Sequence, residues 1–165
     1  MAISGKLDPD FGNDGIIQIP DTCAAPLAVY GNTVIFPGFS KDVYGYDMSS
    51  GKQLWVFHTL PQSGEFGYET WDKMDLGANA WSGLTMDRGR GIAYVTTGSP
   101  KPNFLGQRHR GRNLFANCLI AIDVKTGQRL WHFQEVRHDI WDMDIPGPPF
   151  LATIERDGAL VDVGG

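Results

Sequence analysis

The segment RHDIWDMD, Arg137 to Asp144, gathers a histidine, three aspartates and a tryptophan directly ahead of IPGPP. Acids packed this closely suit three kinds of chemistry. An aspartate with an ordinary pKa near about 4 is ionised at neutral pH and can accept a proton, weakly unless the donor's own pKa is lowered. Two carboxylates together offer hard oxygen ligands to a cation. Single aspartates before a turn cap backbone amides. Read as an extended segment, His138, Ile140, Asp142 and Asp144 point one way, and Asp139, Trp141 and Met143 the other. On that geometry Asp142 and Asp144 stand about 7 Å apart, two steps of roughly 3.4 Å, close enough to approach one cation. Trp141 then reads as a core residue, with Met143 packed beside it. Asp139 reads as a turn cap, a role open to Asp144 as well, and His138 as a hydrogen-bonded structural residue.

The elements that must hold this cluster are signalled by a repeat. YGYDMSSGKQLWVFH (Tyr44 to His58) and IAIDVKTGQRLWHFQ (Ile120 to Gln134) align without a gap, so that Asp47, Gly51 and Trp55 recur as Asp123, Gly127 and Trp131. Each copy has the grammar of a hairpin: an alternating apolar strand, a turn whose glycine can take positive φ, and a second strand ending in Trp-x-Phe. The aspartate before each turn can cap it. A weaker echo, SGKLDPDFG, begins at Ser4 and puts Phe11 near the tryptophan position. NTVIFPG (Asn32 to Gly38) and GIAYVTTG (Gly91 to Gly98) are further strand-like runs, and no convincing amphipathic helix occurs.

These features predict an all-β fold: a portion of a β-propeller comprising about two to two and a half four-stranded antiparallel blades. The repeat units lie near 32–58 and 91–134, residues 1–165 form this one partial propeller, and no separate second domain is expected. The repeat is long for a blade, which implies extended loops. Function is expected to concentrate in TLPQSGEFGYETWDKMDLGANAW and SPKPNFLGQRHRGRNLFAN, since loops on a rigid scaffold carry sites. So few blades cannot close a ring. The chain is therefore expected to be a piece of something larger, or a protomer that self-associates through open blade edges.

Composition narrows the class. The 165 residues are 42% hydrophobic and 20% charged, with 21 glycines and 10 prolines, which excludes a disordered chain. A net charge of -5, with the short run QRHRGR as the densest basic stretch, argues against a nucleic-acid partner. No apolar run is long enough for a membrane-spanning helix, and MAISGKLDPDFG lacks the pattern of a signal peptide. Cys23 and Cys118 fit no CxxC pattern and read as small buried residues rather than a disulfide. DPDFGNDGIIQIPD echoes a calcium loop, but Gly12 supplies no oxygen where one is needed, so it reads as a turn.

AIDVKTGQRLWHFQ followed by RHDIWDMDIPGPP, together with ETW (Glu69 to Trp71), GANAWSGLTMD (Gly77 to Asp87) and AYVTTGSP (Ala93 to Pro100), closely resembles the quinoprotein alcohol and glucose dehydrogenases. The matches are collinear and cover essentially the whole chain. The resemblance implies a central portion of an eight-bladed propeller with tryptophan-docking motifs, which binds pyrroloquinoline quinone (PQQ) with Ca²⁺ or a lanthanide ion. It implies oxidation of an alcohol or sugar, an electron acceptor such as a cytochrome or quinone, and a periplasmic location. It assigns the general base to Asp142, the metal to Asp142 and Asp144, and the cofactor contacts to Trp81, Asn79 and Ser99. Trp81 would form the stacking floor of the cofactor site, because indole suits a flat conjugated ring. A blade-packing role is the alternative, and it describes Trp55 and Trp131 better because they fall on the repeat.

Two positions depart from the family pattern. Ser99 stands where alcohol dehydrogenases carry an asparagine ligand, and Asp42 is the one candidate acid in a shortened loop after the VIF strand. These departures leave a second reading open, a non-catalytic propeller that serves as scaffold or protein-binding module. The small number of blades leaves a third, in which the isolated chain is a non-functional fragment whose activity needs the missing blades.

Overall fold

The computed structural model describes residues 5–23, 25–73, 75–104 and 110–164. Ten strands follow in chain order: β1 (Ala28–Tyr30), β2 (Thr33–Pro37), β3 (Val43–Asp47), β4 (Gln53–Phe57), β5 (Leu84–Asp87), β6 (Ile92–Thr96), β7 (Cys118–Asp123), β8 (Arg129–Gln134), β9 (Leu151–Arg156) and β10 (Ala159–Gly164). They form two four-stranded antiparallel meanders, β1-β2-β3-β4 and β5-β6-β7-β8, and a hairpin, β9-β10. The architecture is that of a β-propeller portion, two blades and the start of a third, as the repeat predicts. The 3-10 turn Tyr68–Thr70 lies in the long connection between the blades.

The repeated hairpins are β3-β4 and β7-β8, and they match in detail. Gly45 pairs with Trp55 and Ala121 with Trp131, and each pair is followed by a register shift in the ladder. The residue opposite the indole is small for a reason: a Cβ on Gly45 would collide with the Trp55 ring. Asp47 caps its turn by accepting from the amides of Ser49 and Ser50, and Asp123 does the same for Lys125 and Thr126. The hydroxyls of Ser49 and Ser50 add to this and hold the Asp47 carboxyl at about 2. The turn glycines Gly51 and Gly127 both take φ +72, the left-handed region that side chains disfavour.

The core lies between the blades. Ile35, Val43 and Phe57 of the first sheet meet Val95, Ile120 and Ile122 of the second. Trp55 joins them across the seam: its Nε1 donates to the Val124 carbonyl at 2.8 Å, and a Cβ on Gly127 would lie 2.6 Å from its ring. The third, weaker echo finds its place here too. Phe11 lies against Gly51 as Trp55 lies against Gly127, and Gly12 N–H donates to Ser50 O at 3.2 Å. Trp131, the last docking residue, is 43% exposed and tilts over Tyr94 on its own sheet.

Cys118 is fully buried, its thiol pushed up by that burial, whereas Cys23 is half-buried; both are free.

Candidate active site

In an antiparallel meander, alternate strand ends fall on the same side, so the start of β5, the end of β6, the start of β7 and the end of β8 share one end of the second blade. Asn79 and Trp81 precede β5, Ser99 follows β6, Asn117 precedes β7, and Asp139 to Asp144 follow β8. Residues far apart in sequence therefore meet at one rim.

Asp144 ties three of these segments together. Its Oδ1 accepts from the Ser99 amide at 2.5 Å, and its Oδ2 accepts from Trp81 Nε1 at 3.1 Å. Gly98 makes this approach possible: a Cβ there would lie 2.6 Å from Asp144 Oδ1, 2.7 Å from Asn79 Oδ1 and 3.1 Å from Trp81 Nε1. The structure thus brings Trp81, Asn79, Ser99 and Asp144 to one point. Asp142 stands beside them, its Oδ1 accepting from Asn103 Nδ2 at 2.6 Å. Burial, and then the charge of Asp144, hold the Asp142 carboxyl above its ordinary pKa, with Asp139 adding to the effect and Asn103 opposing it.

The extended reading of this segment is overturned. His138 and Asp142 take φ of 54° and 60°, so side chains do not alternate along it. Asp139, assigned to the face away from the other acids, instead reaches the same network. It is 4% exposed and accepts from Ser99 Oγ, Asn117 Nδ2 and the amides of Trp141 and Met143. Trp141 is not a core residue in this chain: it is 76% exposed, and Met143 is exposed as well. Both are held out by the turn that Asp139 caps. His138 hydrogen-bonds to the Gly111 carbonyl, in keeping with a structural role.

Asp42 is engaged away from the two acids, whereas Ser99 meets Asp144 through its amide and turns its hydroxyl elsewhere. Buried Asp42 accepts from the Thr59 amide at 2.9 Å and is raised by desolvation. The Ser99 hydroxyl donates to Asp139. Sequence reasoning missed Asn103, Asn117 and Gly98, because their partners lie on other loops and no local spacing signals them.

The oxygen-only donors at this rim suit a hard cation, and Asp142, Asp144 and Asn79 Oδ1 are the residues that could hold it. Among the described residues no three acid, histidine or cysteine side chains cluster at metal-binding range, so two carboxylates with the amide are what this chain offers.

The profile of the family described as "Glucose/ethanol/alcohol dehydrogenase, beta-propeller domain", a PQQ family, matches residues 1–163. The chain belongs to this family of PQQ-dependent dehydrogenases. Within it, quinoprotein glucose dehydrogenase A of Acinetobacter calcoaceticus is 34% identical over 94% of this chain and 22% of its own length. The glycerol dehydrogenase large subunit of Gluconobacter oxydans (strain 621H) is 34% identical over 97% of this chain and 25% of its own. The quinohemoprotein alcohol dehydrogenase of Comamonas testosteroni superimposes with a TM-score of 0.75 at 25% identity, covering 86% of this chain and 25% of that one. The chain thus spans about a quarter of the length of these relatives.

One consequence is local. Gly98→Ala would press its methyl between Asp144 and Asn79, and overpacking of this kind costs about 1–3 kcal/mol. A urea melt is expected to show a loss in that range, together with weakened quenching of tryptophan fluorescence by PQQ. Unchanged quenching would show that the Asn79–Asp144–Trp81 junction is not part of the cofactor site.

Proposed function

We propose that this chain is the base-bearing portion of a PQQ-dependent dehydrogenase that oxidises an alcohol or sugar. The observation that carries the reading is the junction at Gly98, where Trp81, Asn79, Ser99 and Asp144 converge next to a half-buried Asp142 of raised pKa. Asp142 is the general base: its deprotonated carboxylate takes the substrate hydroxyl proton, and the Asn103 amide fixes the oxygen that accepts it. Trp81 supplies an aromatic face, set in orientation by Asp144 through its indole N–H. Asp142 and Asp144, with Asn79, would hold Ca²⁺ or a lanthanide ion. When bound, PQQ supplies an ortho-quinone that accepts hydride, polarised by the cation. Ser99 contributes to the cofactor side through its backbone, since its hydroxyl serves Asp139.

The same reading puts the protein in the periplasm, delivering electrons to a cytochrome or quinone; one relative is the "Lupanine 17-hydroxylase [cytochrome c]" of a Pseudomonas species. The remaining pocket walls come from blades outside this chain, so the isolated chain is expected to show no turnover in a dye-linked alcohol or sugar oxidation assay.

The test is addition of PQQ with Ca²⁺ or a lanthanide to the full-length protein, with tryptophan fluorescence as readout. Quenching that Trp81→Ala removes supports the enzyme. No quenching favours a non-catalytic scaffold, the reading to which the engaged Asp42 and Ser99 side chains lend support.

A further inference from the structure

The geometry points to Asp139 as the positioning residue of this site: it folds the 139–143 turn that presents Asp142, and Ser99 and Asn117 serve to orient Asp139. The inference rests on the reading of Asp142 as base.

The buried carboxylate of Asp139 accepts four hydrogen bonds. Oδ1 takes the Trp141 amide at 2.9 Å; Oδ2 takes the Met143 amide at 2.7 Å, Ser99 Oγ at 2.5 Å and Asn117 Nδ2 at 3.2 Å. The two amides belong to the residues on either side of Asp142, so Asp139 holds both flanks of the base. Asn117, 1% exposed, also donates to the Met143 carbonyl at 2.9 Å, which pins the turn to the start of β7. This clamp has a task. Asp142 sits at φ 60°, the left-handed backbone region that non-glycine residues disfavour and hold where their surroundings enforce it. Four bonds to one ionised acceptor provide that enforcement. Burial works to raise the Asp139 carboxyl, yet the bonds from Ser99, Trp141, Met143 and Asn117 prevail and hold it below its ordinary value. It therefore stays charged at neutral pH, and that charge reaches Asp142.

The experiment uses the full-length protein and its Asp139→Ala and Asp139→Asn variants. In cofactor-free protein, amide hydrogen exchange of the peptide spanning 137–145 is expected to quicken about tenfold or more in Asp139→Ala, with β7 and β8 unchanged. PQQ quenching and KM persist, and kcat falls about 10²-fold because the base is misplaced. Asp139→Asn keeps an acceptor for the Trp141 amide and recovers part of kcat. Unchanged exchange, or a loss of kcat that Asp139→Asn does not partly restore, overturns the assignment of Asp139 alone. Absence of PQQ quenching in the wild-type protein removes the enzyme reading and this assignment with it.

Discussion

Replacing Asp142 by asparagine in the full-length protein is expected to lower kcat by about 10²–10⁴-fold, the usual contribution of a positioned general base. The amide keeps the size of the side chain and can still meet Asn103, so thermal stability should change little. What is lost is the lone pair that takes the proton. Wild-type activity carries a further signature. Burial and the neighbouring charge of Asp144 raise the Asp142 pKa, so its proton is lost at higher pH than from an ordinary aspartate. The base works only when deprotonated. Turnover should therefore rise with pH along an acid limb, and asparagine should abolish that limb. Steady-state kinetics across pH decides the matter: a variant that retains full kcat would remove Asp142 from the chemistry.

The second large effect is on stability. Trp55→Ala is expected to destabilise this chain by about 3–5 kcal/mol, as for large aromatic truncations in a core. The indole is 8% exposed, sits in the seam between the blades and donates to Val124. Its removal leaves a cavity and an unpaired buried carbonyl together. Gly127→Ala attacks the same junction from the other side, through steric contact with the indole and through φ +72. The two losses should fall short of additive in the double variant, because both break one contact. Trp131→Ala, at an exposed site, is expected to cost about 1 kcal/mol or less in the same chain. Urea unfolding measures all four, and equal costs for Trp55 and Trp131 would contradict the inter-blade packing described above.

That contrast between two tryptophans on the same repeat marks where local sequence stops informing. Their shared spacing from Asp-x-x-x-Gly marks both as docking residues, and turn chemistry places both hairpins correctly. Which one is covered depends on what lies across the seam. Blade two covers Trp55, and the β9-β10 hairpin leaves Trp131 open.

The acidic segment divides in the same way. Its residue types announce a site, and the family resemblance assigns Asp142, Asp144 and Trp81 to it. The alternation rule applied to it presumes an extended backbone. Positive φ at His138 and Asp142 breaks that premise, and nothing in RHDIWDMD alone signals it, since neither residue is glycine.

The sequence by itself determined the all-β class, the two repeat hairpins with their capped glycine turns, the kinship to PQQ-dependent dehydrogenases and the acids that belong to the candidate site. These follow from periodicity, turn propensity and motif, which act over a few residues. Only the tertiary structure decided that Asp139 is the buried clamp, that Asp144 joins Trp81 to Ser99, that Asn103 meets Asp142 and that Trp141 faces outward. Each of these depends on loops from separate strands converging at one blade rim, and a hydrogen bond across such a distance in sequence leaves no local pattern.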